Sequence, residues 1–511
     1  MRILKWLALA ALVAGAAILV LRLVFPLPDV SGRPPEAALA PDTQGRIGRA
    51  FANPIAAHPG QTGIVALGNG HDALASRLTL ADLAETSIDA QYYIWHDDTS
   101  GLLLLDALHR AAQRGVRVRL LLDDNGIPGL DQLLATLNAQ ENFQVRLFNP
   151  STIRRPKYLG YAIDFFRMNR RMHNKSMIVD GIAAIIGGRN IGDEYFQIGN
   201  AFYLDMDAVA VGEVVPETSA VFDAYWNAAS VFELERVIKG AGDIAEFETR
   251  IAELRQTSEA RELLDVMESS ARAAIEGKVA HEWTQVQLVA DDPAKGQGVA
   301  TQDQLMISRL AQILGGIDAR LDLVSAYFVP GRKGTEIFSN LARKSIEVNI
   351  LTNALNTTDV LLVHAGYTKY RRDLLEAGVK LYELKLRGDH SEKQIFPLGI
   401  SGASLHAKTF AVDHRRIFIG SFNFDPRSVD LNCEMGFLID SPRMAAQISG
   451  AFDNAIPLVS YQPTLTPEAK MVWIEKLPQG RTEIYQEEPA ATWFQQIAIA
   501  AIGILPVEWL L

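Results

Sequence analysis

The chain has 511 residues, a formal net charge of −11, and 48% hydrophobic and 21% charged residues. That mix excludes a disordered chain and leaves no global basic footprint for nucleic acid, and the length suggests two or three domains. The single cysteine, Cys433, excludes an intrachain disulfide and any cysteine-rich zinc or iron–sulfur site.

The N-terminus, "MRILKWLALAALVAGAAILVLRLVFPLPD", sets Arg2 and Lys5 before an apolar run that reaches Leu27 and is interrupted only by Arg22. About 20 apolar residues suffice to cross a bilayer as a helix. A cleaved leader ending near Ala14-Gly15-Ala16 is the competing reading. The run continues well past that point, so its length favours an uncleaved anchor over residues 1–27. A proline-rich linker over 28–60 follows. Arg2, Lys5 and the terminal amine favour a cytoplasmic N-terminus, while Arg22 and Arg33 weaken that orientation.

From about residue 61 the pattern becomes α/β. "IDAQYYIW" reads as a strand. "SGLLLLDALHRAAQRG" reads as an amphipathic helix capped by Ser100 and ended by Gly115, and "VRVRLLLD" and "FQVRLFN" read as further strands. Strands alternating with helices predict βαβ units and a largely parallel, covered sheet. The next stretch sets Arg154, Arg155, Lys157, Arg167, Arg170 and Arg171 among Tyr158, Tyr161, Phe165 and Phe166. It suits an anionic membrane interface, or a solvated loop with a few core aromatics.

"RMHNKSMIVDGIAAIIGGRNI" at 171–191 reappears as "SLHAKTFAVDHRRIFIGSFNF" at 404–424. His406 follows His173 by 233 positions, and the same shift takes Lys175 to Lys408, Asp180 to Asp413 and Asn190 to Asn423. Tyr93 and Tyr327 are related by 234. The chain therefore holds a duplicated domain, with copies over 61–230 and 283–460. A charged helical connector spans 231–282. A tail over 461–511 contains an apolar helix at 493–505, suited to a membrane surface or to packing on the core.

Within each motif, His and Lys at i and i+2 of a strand point to the same face. Asp180-Gly181 signals a hairpin turn, so Asp180 and Asp413 are expected to hold turn backbone away from the site. The small residues Gly187, Gly188 and Gly420 then let a ligand approach backbone, and the Asn side chains return beside His and Lys. Two copies about a pseudo-twofold axis supply two imidazoles for nucleophilic and acid–base work and two lysines for phosphoryl oxygens. That combination fits a phosphodiester site and calls for no cofactor and no metal. A lone motif would fit a structural histidine beside a surface lysine equally well; two copies at matched spacing make that reading a poor one.

These residues resemble the HxKxxxxD plus GG/GS-x-N pattern of the phospholipase D superfamily. With "DAQYYIWHDDTSG", "RLLLDDN", "GGRNIGDEYF", "SAYFVP", "GSFNFDPRS" and "LPVEWLL", the resemblance covers roughly residues 60–511 and is most specific to bacterial cardiolipin synthases of the C type. It implies two phospholipase D-like α/β/α sandwich domains about a pseudo-twofold axis, behind the N-terminal transmembrane helix. It also implies a phosphatidyltransferase in which His173 forms a phosphohistidine and His406 protonates the leaving alcohol. His406 would then activate a phosphatidylglycerol hydroxyl, while Lys175, Lys408, Asn190 and Asn423 bind the phosphoryl oxygens. The resemblance further implies an acid behind each imidazole. Glu434, 28 residues past His406, fits that place, and Asp207, 34 past His173, is its first-copy counterpart. Phosphatidylethanolamine is the implied donor, the membrane and its phospholipids are the implied partners, and nucleic acid is not expected. The implied location is the bacterial inner membrane with the body on the periplasmic side. A hydrolase would use the same residues with water as acceptor, and a nuclease on the same fold is opposed by the acidic charge and the anchor.

Overall fold

A computed structural model describes residues 2–199, 202–275, 279–358, 360–385, 403–477, 480–504 and 508–510. Two mixed sheets carry the two copies. The first orders Glu282–Thr284, Thr62–Leu67, Asp207–Gly212, Ala183–Gly187, Ser176–Val179, Ser87–Ile94, Arg117–Gly126, Phe143–Phe148 and Val231–Glu233. The second orders Val286–Ala290, Met435–Asp440, Arg416–Gly420, Lys408–Val412, Arg320–Ser325, Glu347–Asn353, Lys380–Leu384, Ser460–Leu465, Met471–Lys476 and Thr482–Tyr485.

Parallel pairing is confined to three strands of each sheet, Ser87–Ile94 to Phe143–Phe148 and Arg320–Ser325 to Lys380–Leu384. The expectation of a largely parallel sheet is corrected accordingly. Each motif folds as a hairpin, and a short turn joins only antiparallel strands. In the first copy the turn places Asp180 at φ 53° and Gly181 at φ 64°; in the second, Asp413 and His414 adopt φ 52° and 53°. Left-handed backbone at both central residues matches the twist of a tight hairpin.

The helix Thr99–Gln113 is capped by Asp98, whose carboxylate accepts from Gly101 N at 3.0 Å, so the cap lies two residues before Ser100. Gly115, at φ 94°, ends it as expected. Its face inserts Leu102, Leu105 and Leu108 into the core under the first sheet. Each such side chain contributes about 1.5–3 kcal/mol by leaving water. From the connector stretch, the helix Ser258–Ile275 packs on the helix Gly70–Leu83, and Val231–Glu233 and Glu282–Thr284 form the two edges of the first sheet. Three tail strands extend the second sheet.

The copies are joined by an apolar layer and by backbone. Ile186, Met206 and Ala208 of the first pack with Val324, Ile419 and Phe437 of the second. Phe202–Leu204 pairs in parallel with Ala403–Leu405, and Met172 bridges Cys433 in the same sense.

In the N-terminal helix Arg2–Val24, residues Lys5–Val24 carry no buried position and, with mean hydropathy 2.5, are long and apolar enough to cross a membrane. The linker is tied down rather than free. Arg33 donates to Val231 O and Ala228 O, Glu36 pairs with Arg146, and residues 46–57 form a helix.

Candidate active site

Each motif histidine is fixed by the other copy. The His173 amide donates to Cys433 O, and the His406 amide donates to Leu204 O, both at 2.8 Å. The residue after each acceptor is an acid. Glu434 Oε2 lies 2.8 Å from His173 Nδ1, and Asp205 Oδ2 lies 2.5 Å from His406 Nδ1. The carboxylate–imidazole pairs are therefore crossed. A carboxylate on Nδ1 orients each ring and leaves Nε2 for chemistry.

Two expectations about acids are corrected. Glu434 contacts the first-copy imidazole, not that of its own copy. Asp207 contacts neither; it lies buried against Arg77 at 2.9 Å and Arg189 at 3.4 Å. Asp205 takes the imidazole because it follows Leu204, the residue paired to the second motif, while Asp207 already belongs to the next strand of its own sheet. The glycines are corrected too. A Cβ at Gly188 would collide with Asp205 Oδ1, and one at Gly187 with Asp207 Oδ1, so the close approach is made by protein carboxylates. Ser421 stands where the second copy matches Gly188, and its hydroxyl donates to Glu434 Oε2.

Lys175 Nζ donates to His173 O at 2.6 Å and lies 5.6 Å from the Tyr93 ring centre. Lys408 donates to His406 O, with its Nζ 2.9 Å from His406 Nδ1. Tyr93 meets the His173 ring edge-on at 5.0 Å, while Tyr195 and Tyr203 both stand 5.1 Å from the His406 ring. Asn190 Oδ1 accepts from Ile94 N, and its Nδ2 is buried without a hydrogen-bond partner among the described residues. In Asn423 the unpaired buried amide atom is Oδ1, and a half-turn of the amide presents Nδ2 instead. Asp180 accepts from the amides of Glu85, Thr86 and Ser87, and Asp413 from those of Asp318, Ala319 and Arg320. Both clamp the start of the neighbouring strand, at the hairpin end away from the histidines.

Burial dominates the electrostatics. It pushes His173 well down, and Lys175, Lys408 and His406 add to this, so the ring rests neutral. It pushes Lys175 down to about 7 and Glu434 up to about 7, each partly restored by the other. Burial also raises Asp205, but Lys408 and His406 outweigh it and hold that carboxyl below its ordinary value. His406 is lowered by burial and Lys408 while Asp205 opposes them. These mutual influences set both imidazoles and both lysines in one site.

Sequence reasoning missed Asp205, the tyrosines around His406, and a His96–Glu194 pair. His96 Nδ1 lies 3.1 Å from Glu194 Oε1, next to Tyr195, and among the described residues His96, Asp98 and Glu194 bring ligand atoms within 4.8 Å of one another. The 233-residue shift matches Glu194 to Arg427, so the two halves carry opposite charge there. Much of the basic stretch is internally neutralised: Arg154 pairs with Asp124 and Asp131, Arg167 with Asp164, and Arg171 with Asp123.

The family described as "Cardiolipin synthase, PLD-like domain" matches residues 78–226 and 310–456, one region for each copy. The chain belongs to that family. It is 44% identical over 461 residues to Cardiolipin synthase C of Escherichia coli (strain K12), covering 89% of this chain and 97% of that protein. A Cardiolipin synthase of Listeria welshimeri is 26% identical over 412 residues, covering 80% of this chain and 71% of the relative. Among solved structures, phosphatidylserine synthase of Haemophilus influenzae Rd KW20 shares the fold at TM-score 0.56 and 15% identity, over 91% of this chain and all of that one. Family membership makes the chain an enzyme of phospholipid biosynthesis, and the apolar N-terminal helix accords with membrane association.

Proposed function

We propose that the chain makes cardiolipin by moving a phosphatidyl group from an ethanolamine phospholipid to phosphatidylglycerol, using both copies, 61–230 and 283–460. The observation that carries the reading is the pair of crossed carboxylate–imidazole contacts in a site shared with Lys175 and Lys408. His173 rests neutral, with Nδ1 held by Glu434 and Nε2 available. Its lone pair attacks phosphorus, a P–N bond forms, and the P–O bond to the leaving alcohol breaks. His406, held by Asp205, delivers the proton that the alkoxide needs. Lys175, Lys408 and the amides of Asn190 and Asn423 meet the charge that builds on the non-bridging oxygens. His406 then takes the proton of a phosphatidylglycerol hydroxyl. That oxygen attacks phosphorus, the P–N bond breaks, and His173 is regenerated.

The reading of an ethanolamine donor is supported by the pair beside His406. Burial raises Glu194, but the His96 contact outweighs it and keeps the carboxylate charged. An anionic side chain next to the general acid suits an ammonium on the departing headgroup. Arg2 and Lys5 ahead of the apolar helix support a catalytic body on the periplasmic side of a bacterial inner membrane, against Arg22 and Arg33 behind it.

The test is lipid mass spectrometry in a cardiolipin-free bacterium expressing the chain and fed ethanolamine phospholipid labelled in its phosphatidyl part. Labelled cardiolipin is expected. A rise in phosphatidic acid without cardiolipin would establish hydrolysis instead. Glu194→Gln should shift the label preference from the ethanolamine lipid toward phosphatidylglycerol; an unchanged preference would remove Glu194 from donor choice.

A further inference from the structure

Beyond the N-terminal helix, large exposed apolar side chains gather on two segments that touch. Tyr158, Phe165 and Phe166 stand on and just before the helix Leu159–Met168, with Tyr158 and Phe166 about 70% exposed. Trp493 and Ile497 stand on the helix Trp493–Ile504, which packs on Leu361–Glu376, and Trp509 follows. Leu505 and Pro506 lie outside the described residues. The Phe165 and Trp509 rings meet edge to face at 6.3 Å, which joins the two segments. Scattered exposed apolar residues need no explanation, but a contiguous aromatic patch does.

The patch lies where the apolar N-terminal helix ends. Arg22 Nε donates to Ile163 O at 2.8 Å, and Thr152 Oγ1 donates to Phe25 O at 2.9 Å. A crevice of about 300 Å³ opens between the two elements, lined by Phe25, Leu27, Ile163 and Met168. A helix crossing a bilayer would thus leave it at the level of Phe165 and Phe166. The patch is also tied to the segment that leads into the first motif. Arg427 donates to Asn169 O and to Leu510 O, and Asn169 lies four residues before His173.

We propose that these two segments form a membrane-docking face whose occupant is the bilayer surface, with the aromatic rings at headgroup depth. Docked this way, the segment leading to His173 is held at the bilayer surface, where both substrates can approach with their acyl chains still in the membrane. The main driving force is apolar burial: Arg154 and Arg167 are paired with aspartates and Glu508 with Lys369, while Arg170 donates to Phe166 O. The purpose of the face rests on the lipid-transfer reading, but its test does not need turnover.

The full chain would be reconstituted in nanodiscs containing phospholipids brominated along the acyl chain, and tryptophan emission compared with that of a Trp493→Phe/Trp509→Phe variant. The emission assigned by difference to these two tryptophans should be strongly quenched, and quenching should persist as salt rises from about 0.1 M to about 1 M. Unquenched difference emission, as expected for a face covered by a second copy or a partner protein, would overturn the proposal. Quenching lost at high salt would overturn the apolar account. Phe166→Asp should slow transfer from bilayer lipid about tenfold while leaving the rate on monomeric short-chain phospholipid unchanged, and Phe166→Trp should restore the bilayer rate. An equal fall on both substrates, or none on either, would count against the face.

Discussion

At one half-site a glutamate faces the imidazole; at the other an aspartate does, and the two acids lean in opposite directions. Glu434 is pushed up to about 7 by burial, sharing its environment with Ser421, Ser428 and Lys175. Asp205 is drawn below its ordinary value by Lys408 and His406. The matched positions Gly188 and Ser421 show how each acid is seated. A missing side chain seats the shorter acid in the first copy, while a hydroxyl supports the longer one in the second. A carboxylate that holds its charge firmly favours an imidazolium; one pushed up by burial favours it less and leaves its partner neutral. The duplication therefore supplies two similar scaffolds whose acids differ, and that difference fits the proposed division of labour, His173 attacking and His406 moving the proton.

The comparison breaks most visibly at the histidines. His173→Ala should lower lipid transfer by about 10⁴-fold or more. His406→Ala should do as much with an ordinary lipid but much less with a 4-nitrophenyl leaving group, which departs without an acid. Rates on the two substrates that fall in parallel for His406→Ala would remove its acid role.

The carboxylates come next, at about 10- to 100-fold each. As pH falls through about 7, Glu434 takes up a proton and stops supporting His173, so the wild-type rate should decline on the acid side. Glu434→Gln should be slower and lack that limb. Burial and Lys408 lower His406 and Asp205 opposes them, so Asp205→Asn should move the His406 titration to still lower pH. Identical pH profiles for the two variants would dissolve the asymmetry.

Asp207→Asn should have the smallest effect on chemistry. Removing one partner of the buried contact with Arg77 costs about 3 kcal/mol of stability, read in a denaturant melt, with near-normal turnover per folded molecule. A stable but inactive variant would return Asp207 to the catalytic set.

Much of this was legible in the sequence. The 233-residue shift between His173 and His406 exposed the duplication, and the alternation of strand residues put His and Lys on one face. The acids were not legible by counting. Glu434 belongs behind His173 because the segment that carries it crosses to the other copy, and no spacing within one copy reports a contact between copies. Asp205 and Asp207 are two residues apart in "LDMD", and only the backbone pairing of Leu204 with the second motif chooses between them. The glycines misled because what approached their backbone was protein rather than ligand, carboxylates at Gly187 and Gly188 and the Met435 carbonyl at Gly420. The hairpin geometry of the motif was read correctly, yet its consequence, a mostly antiparallel sheet, was overridden by the βαβ pattern elsewhere.

The central claim is that phosphorus is carried on His173 and not on His406. It is tested most directly by rapid-quench mass spectrometry of the His406→Ala enzyme with a 4-nitrophenyl phosphodiester. The account predicts about one phosphorylated histidine per chain, in the peptide containing His173. Phosphorus on no histidine in that variant, together with phosphorylated His406 in His173→Ala, would contradict it.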